Sequence, residues 1–212
     1  MEERKEYSCV KRTKKTFQDT LARLAREKPL NKITVKALCE AAGLSRNAFY
    51  FHYANIDALI EEIEDDFYNT VVDHLEMFEQ IGYPGNVQET VKLLTNKFLA
   101  NRDIGLMLLD GQRAVSFVPR LNQMFADFNA QYFHNFHPDS SRAAYDYFFT
   151  FIGEGYYAMV RRFLVMDDSF PEEKLVDLCL TLMNRLLQNG KPSLHFLERP
   201  MASAADTSEK LL

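Results

Sequence analysis

At 212 residues, 47% of them apolar, the chain has room for one large domain or two small ones around a sizeable core. The net charge of −5 hides a division: residues 1–53 carry 12 Lys and Arg against 6 Asp and Glu, and residues 54–212 carry 13 against 24. A basic head on an acidic body excludes phosphate contact by the body and reserves it for the head.

The first seven residues, MEERKEY, lack the apolar core of a signal peptide. A helix is expected over 11–28, with Phe17, Leu21, Leu24 and Ala25 on one face, Lys14, Lys15 and Arg26 on the other, and Pro29 as its end. Thr34 then precedes Val35, Leu38 and Ala42, and its hydroxyl is placed to cap the free N–H near Ala37. Gly43 closes this second helix, Leu44 faces the core and Ser45 caps a third helix. Cys39 is small, as two crossing helices require, and Phe49 is large enough to fill the angle between them. Small, glycine and apolar at these offsets make a helix-turn-helix. Arg46, Asn47, Tyr50 and His52 are left for its outer face. Arg pairs with guanine and Asn with adenine, while Tyr and His suit phosphate or a thymine methyl.

A long helix is expected over 55–80, with Asn55 as its cap and Ile60, Ile63, Phe67, Val71 and Leu75 on one face. Its acidic run, Glu61 to Asp66, reads as a solvated face. Gly82 to Gly85 breaks the chain. Further helices are expected over 86–101, 103–115, 118–136, 140–166 and 172–189. Joints are expected within 113–120, which contains Pro119, and at His137-Pro138-Asp139. The apolar stretch 148–160 is broken by Glu154 and is too short to span a bilayer, so no membrane partner is expected. Gly153 and Gly155 mark a close helix approach, and Leu175, Leu178, Leu182 and Leu186 form a stripe. Asn189-Gly190 is the last turn signal, and 198–212 reads as a disordered tail.

Aromatic residues make up 13% of the chain, with no Trp. Phe98, Met107, Phe117, Phe125, Phe128, Tyr132, Tyr147, Phe148, Phe151 and Tyr156 form an apolar wall suited to an apolar or aromatic effector, with Gln112, Arg113 and Glu154 as polar groups to orient it. Cys9, Cys39 and Cys179 are far apart and without CxxC, so they read as reduced thiols. His134 and His137 lack a third metal ligand. With no nucleophile–His–acid set and no phosphate loop, neither an enzyme nor a cofactor is expected.

The segment ITVKALCEAAGLSRNAFYFHYANIDALI, with the helix before it, resembles the TetR family of bacterial transcriptional regulators. The resemblance covers about a quarter of the chain. It implies an all-α fold: a three-helix DNA-binding head over 1–54, then a helical ligand-binding and dimerisation domain over 55–197. It implies DNA contacts at Thr34, Ser45, Arg46, Asn47, Phe49, Tyr50, His52 and Tyr53. It also implies a cytoplasmic, nucleoid-associated homodimer, joined through its last two long helices, on a pseudo-palindromic operator. Many members carry Lys near the start of the fourth helix. Ile56 stands there here, and the Asn-Ala-Phe-Tyr variant with Ile56 resembles a branch related to the coactivators of dihydroxyacetone kinase operons. The expected function is a repressor released by a small molecule. The alternative is a DNA-bound adaptor or coactivator that answers to a partner protein.

Overall fold

Phe17, Leu21 and Leu24 recur at intervals of four and three, which lines them along one side of a helix. All three are buried in α1, Glu2–Glu27. This helix begins well before residue 11, because the Glu, Arg and Lys residues ahead of it are good helix formers. The computed structural model describes residues 2–80, 87–136, 142–166 and 170–187, and over these the chain is all-α. After α1 come α2 (Val35–Ala42), α3 (Arg46–His52), α4 (Ile56–Gln80), α5 (Val87–Ala100), α6 (Arg102–Leu109), α7 (Gly111–Phe136), α8 (Arg142–Val165) and α9 (Glu172–Leu187).

The first three helices form the head. Helix α1 also packs on α6, so one apolar core runs from Phe17 and Phe49 through Phe67 and Phe98 to Met183. In the body α7 packs along α8, and α5 along α9. Phe67 stacks on Phe98 with centroids 5.0 Å apart, and its ring meets that of Phe117 edge-on at 6.4 Å.

Two expectations are corrected. The joint expected within 113–120 lies instead at Asp110–Gly111, where Gly111 has φ +62°, a conformation that glycine adopts at no steric cost. Pro119 sits inside α7. Proline there frees the carbonyl of residue 115. Val115, Ser116 and Pro119 are all exposed, so water can satisfy it.

The acidic run of α4 is only in part a solvated face: Glu61, Asp65 and Asp66 are exposed, Glu62 is half-buried and Glu64 is buried, and four of these five carboxylates are paired. Glu62 pairs with Lys14 of α1, Glu64 with Arg113 of α7 at 3.0 Å, Asp65 with Arg120 of α7 at 2.8 Å, and Asp66 with Lys97 of α5 at 2.9 Å. The cations come from helices distant in sequence, so α4 is tied to head and body at once. The turns expected at Gly82–Gly85, His137–Asp139 and Asn189-Gly190, the 198–212 tail, and the His134 and His137 side chains lie outside the described residues.

Candidate nucleic-acid interface and effector site

Three local devices fix the recognition unit. Thr34 Oγ1 accepts from the Ala37 N–H at 3.2 Å and starts α2. Gly43, at φ +64°, ends it, and its left-handed conformation brings the Leu44 N–H to the Cys39 carbonyl at 3.0 Å. Ser45 Oγ then accepts from the Ala48 N–H at 3.0 Å and starts α3. Asn55 Oδ1 does the same for α4, accepting from Ala58 N–H at 2.8 Å. Phe49 fills the angle between the helices, its ring edge-on to Phe17 at 5.3 Å.

Within α3, residues 46 and 50, and 47 and 51, stand one turn apart and share a face. Arg46, Asn47, Tyr50 and Phe51 are all exposed there, and Thr34 and Ser45 are exposed at the helix starts. Three expected contact residues fall elsewhere. Phe49 is 0% exposed and Tyr53 4%, so both belong to the core and hold α3 in place without reaching DNA themselves. His52 is half-buried at the edge of the face. Burial, and then the charge of Lys14, hold its pKa below the usual 6.5, which favours the neutral imidazole at neutral pH.

Phe51 was missed. At 79% it is more exposed than Tyr50 at 57%. The signal was available: 47 plus four is 51, whereas 52 falls toward the buried side with Phe49.

Tyr53, which ends α3, donates its hydroxyl to Glu62 Oε1 at 2.7 Å. Glu62 also accepts from Gln18 Nε2 at 3.1 Å and from Lys14 Nζ. One carboxylate thus joins α1, the end of α3 and α4. Burial alone would raise its pKa, but the bonds from Lys14, Tyr53 and Gln18 outweigh this and lower it. Burial and the bond to Glu62 raise the pKa of Tyr53, so it stays a donor.

The expected effector wall is divided. Phe98, Met107 and Phe117 are packed in the core, Phe148 and Phe128 are half-buried, and Tyr147 and Phe151 stand 80% and 70% exposed on α8. The Tyr132 and Gln112 side chains lie outside the described residues. Phe125 and Tyr156 do meet, in an apolar cavity of about 50 Å³ with Val91, Leu94, Phe149, Ile152, Tyr157 and Met183. Two polar features mark it. The buried Tyr156 hydroxyl is 2.9 Å from Thr95 Oγ1. Asn122 Nδ2 donates to Glu154 Oε1 at 3.3 Å, while the buried Asn122 Oδ1 has no partner. Asn122 fits because residue 153 is glycine: a Cβ there would lie 1.8 Å from Oδ1. Arg113 is engaged by Glu64.

The leucine stripe of α9 splits: Leu175 is buried, whereas Leu178, Leu182 and Leu186 are exposed, as are Tyr147 and Phe151 on α8. Gly153 makes its close approach within the chain, to α7, and Gly155 faces open space. Cys39 and Cys179 are buried free thiols and Cys9 an exposed one; burial pushes the Cys179 thiol up to about 11. No group of three or more potential metal ligands stands together among the described residues, and no described helix is long and apolar enough to cross a membrane.

Residues 19–63 match the family model described as bacterial regulatory proteins, tetR family. A protein described as a TetR-family transcriptional regulator, from Syntrophomonas wolfei, has a similar structure: TM-score 0.60 at 14% identity, over 83% of this chain and 95% of that one. So does Thermus thermophilus FadR, a TetR-family transcriptional repressor solved with lauroyl-CoA: TM-score 0.56 at 14% identity, over 84% of this chain and 94% of that one. At this identity the likeness is one of fold. No curated protein sequence matches the chain.

Proposed function

We propose that this chain, whose head is of the TetR family and whose fold is that of TetR-family regulators, is a homodimeric transcription repressor that binds a pseudo-palindromic operator. The observation that carries the reading is the exposed face of α3. Arg46 and Asn47 have the donors and acceptors to read base edges, and Tyr50 has a hydroxyl for phosphate. Behind them a capped, glycine-turned scaffold holds the helix rigidly. The N-terminus of α2, behind Thr34, offers free N–H groups to a second phosphate. Two heads are needed for two half-sites about one DNA turn apart. The exposed apolar residues of α8 and α9 supply the surface for a second copy. In this reading the protein performs no chemistry and works in the cytoplasm, at the nucleoid.

Control by a small apolar effector finds support in the cavity lined by Phe125 and Tyr156, where Asn122 Oδ1 offers an unused acceptor. An effector there would shift the separation of the heads and so operator affinity. A second reading has its own support. At about 50 Å³ the cavity is far smaller than the roughly 300–1,000 Å³ of drug-sized ligand sites, which favours a body that answers to a protein partner.

Selection of bound sequences from random duplexes by the purified protein tests the proposal. A twofold-symmetric motif is expected. A folded protein that enriches no sequence overturns operator recognition.

A further inference from the structure

We propose that Phe51 is a specificity residue that reads the C5-methyl group of a thymine in each half-site. The inference rests on the operator-binding reading above and adds a residue and a base to it. Phe51 lies one helical turn from Asn47 on the exposed face of α3. Among the described residues it is the most exposed large apolar side chain of the head. Its ring stands edge-on to His52, with centroids 4.9 Å apart, which limits the directions it can take. It has no hydrogen-bonding group, so it cannot anchor a phosphate or read a base-edge donor or acceptor. In the major groove the thymine methyl is the apolar group that identifies a base, and apolar side chains recognise it by contact. Asn47 beside it carries the amide that suits adenine, so the two together are fitted to an A·T-containing step.

The test uses the full-length protein and the duplex recovered by selection, with each thymine replaced in turn by deoxyuridine. This removes the methyl and leaves every hydrogen-bonding group in place. At one thymine per half-site the wild-type protein is expected to lose about fourfold in affinity, and about fifteenfold when both half-sites are changed, from the burial of one methyl each. Phe51→Ala should bind the unmodified duplex more weakly and be indifferent to uracil at that position. Phe51→Leu should keep part of the discrimination. An exposed side chain contributes little to folding, so circular dichroism should be unchanged in both variants.

Indifference of the wild type to uracil at every thymine overturns the inference and leaves operator binding standing. So does a selected motif without thymine, or a Phe51→Ala protein that retains wild-type sensitivity to uracil. A uniform loss on all DNA by Phe51→Ala assigns the ring to the backbone and also overturns it. Absence of any sequence preference overturns operator binding and this inference together.

Discussion

Glu62 holds the head to the rest of the molecule through three bonds, two from α1 at Lys14 and Gln18 and one from Tyr53 at the end of α3. Removing it leaves the buried Tyr53 hydroxyl without an acceptor. Glu62→Ala is therefore expected to cost about 1–3 kcal/mol in urea unfolding, and Tyr53→Phe about 1 kcal/mol. The carboxylate also carries a pH signature. Its folded pKa lies below its ordinary value of 4.5, so its contribution is fully present above that value and is lost as pH falls through the folded pKa. Acid unfolding followed by circular dichroism should be shallower below pH 4.5 in Glu62→Gln than in the wild type. At the exposed face the roles divide. Arg46→Ala should cost about 1–3 kcal/mol of operator affinity and relax preference at one base pair, while Tyr50→Phe weakens all sites alike. Titration against a panel of single-base variants separates the two, and equal losses on every duplex for both would refute the division.

At the scale of elements, what was legible in the sequence was what is settled within five residues. The caps by Thr34, Ser45 and Asn55 and the turn at Gly43 depend on bonds from one residue to another three or five away. The same holds for the buried stripes of α1 and α4, which follow from periodicity alone. The cationic partners of the α4 carboxylates were not legible, since they stand 31 to 55 residues away. Nor was the division of the aromatics. A ring at helical spacing does not say whether its face meets core, cavity or surface, and Tyr147 and Phe151 proved to be surface. Pro119 misled because a helix tolerates proline where the freed carbonyl faces water. The contact between α7 and α8 offers a sharp test. Gly153→Ala puts a methyl into the Asn122 side chain and should destabilise by about 1–3 kcal/mol. In an Asn122→Ala background the same change should cost markedly less, as a double-mutant cycle in urea would read.

For the whole molecule the decisive quantities are charge and assembly. With the positive charge concentrated in residues 1–53, operator affinity should fall steeply with added salt, linearly in the logarithm of each. The exposed apolar face of α8 and α9 predicts a dimer in solution. Tyr147→Glu combined with Phe151→Glu should yield a folded monomer by sedimentation velocity, with operator affinity reduced by orders of magnitude; a dimer that persists would move the interface elsewhere.

The paired carboxylates of α4 have a mechanical consequence. They clasp the body along Glu64, Asp65 and Asp66 and the head at Glu62, so head and body grip the 25-residue helix within one stretch of five residues. Over those five residues the helix rises only about 6 Å, so the body's hold on Glu64, Asp65 and Asp66 lies about one helical turn from the Glu62 carboxylate that seats the end of α3. A repacking of the body too small to alter its shape would then be felt at the neighbouring turn, where the head is fastened.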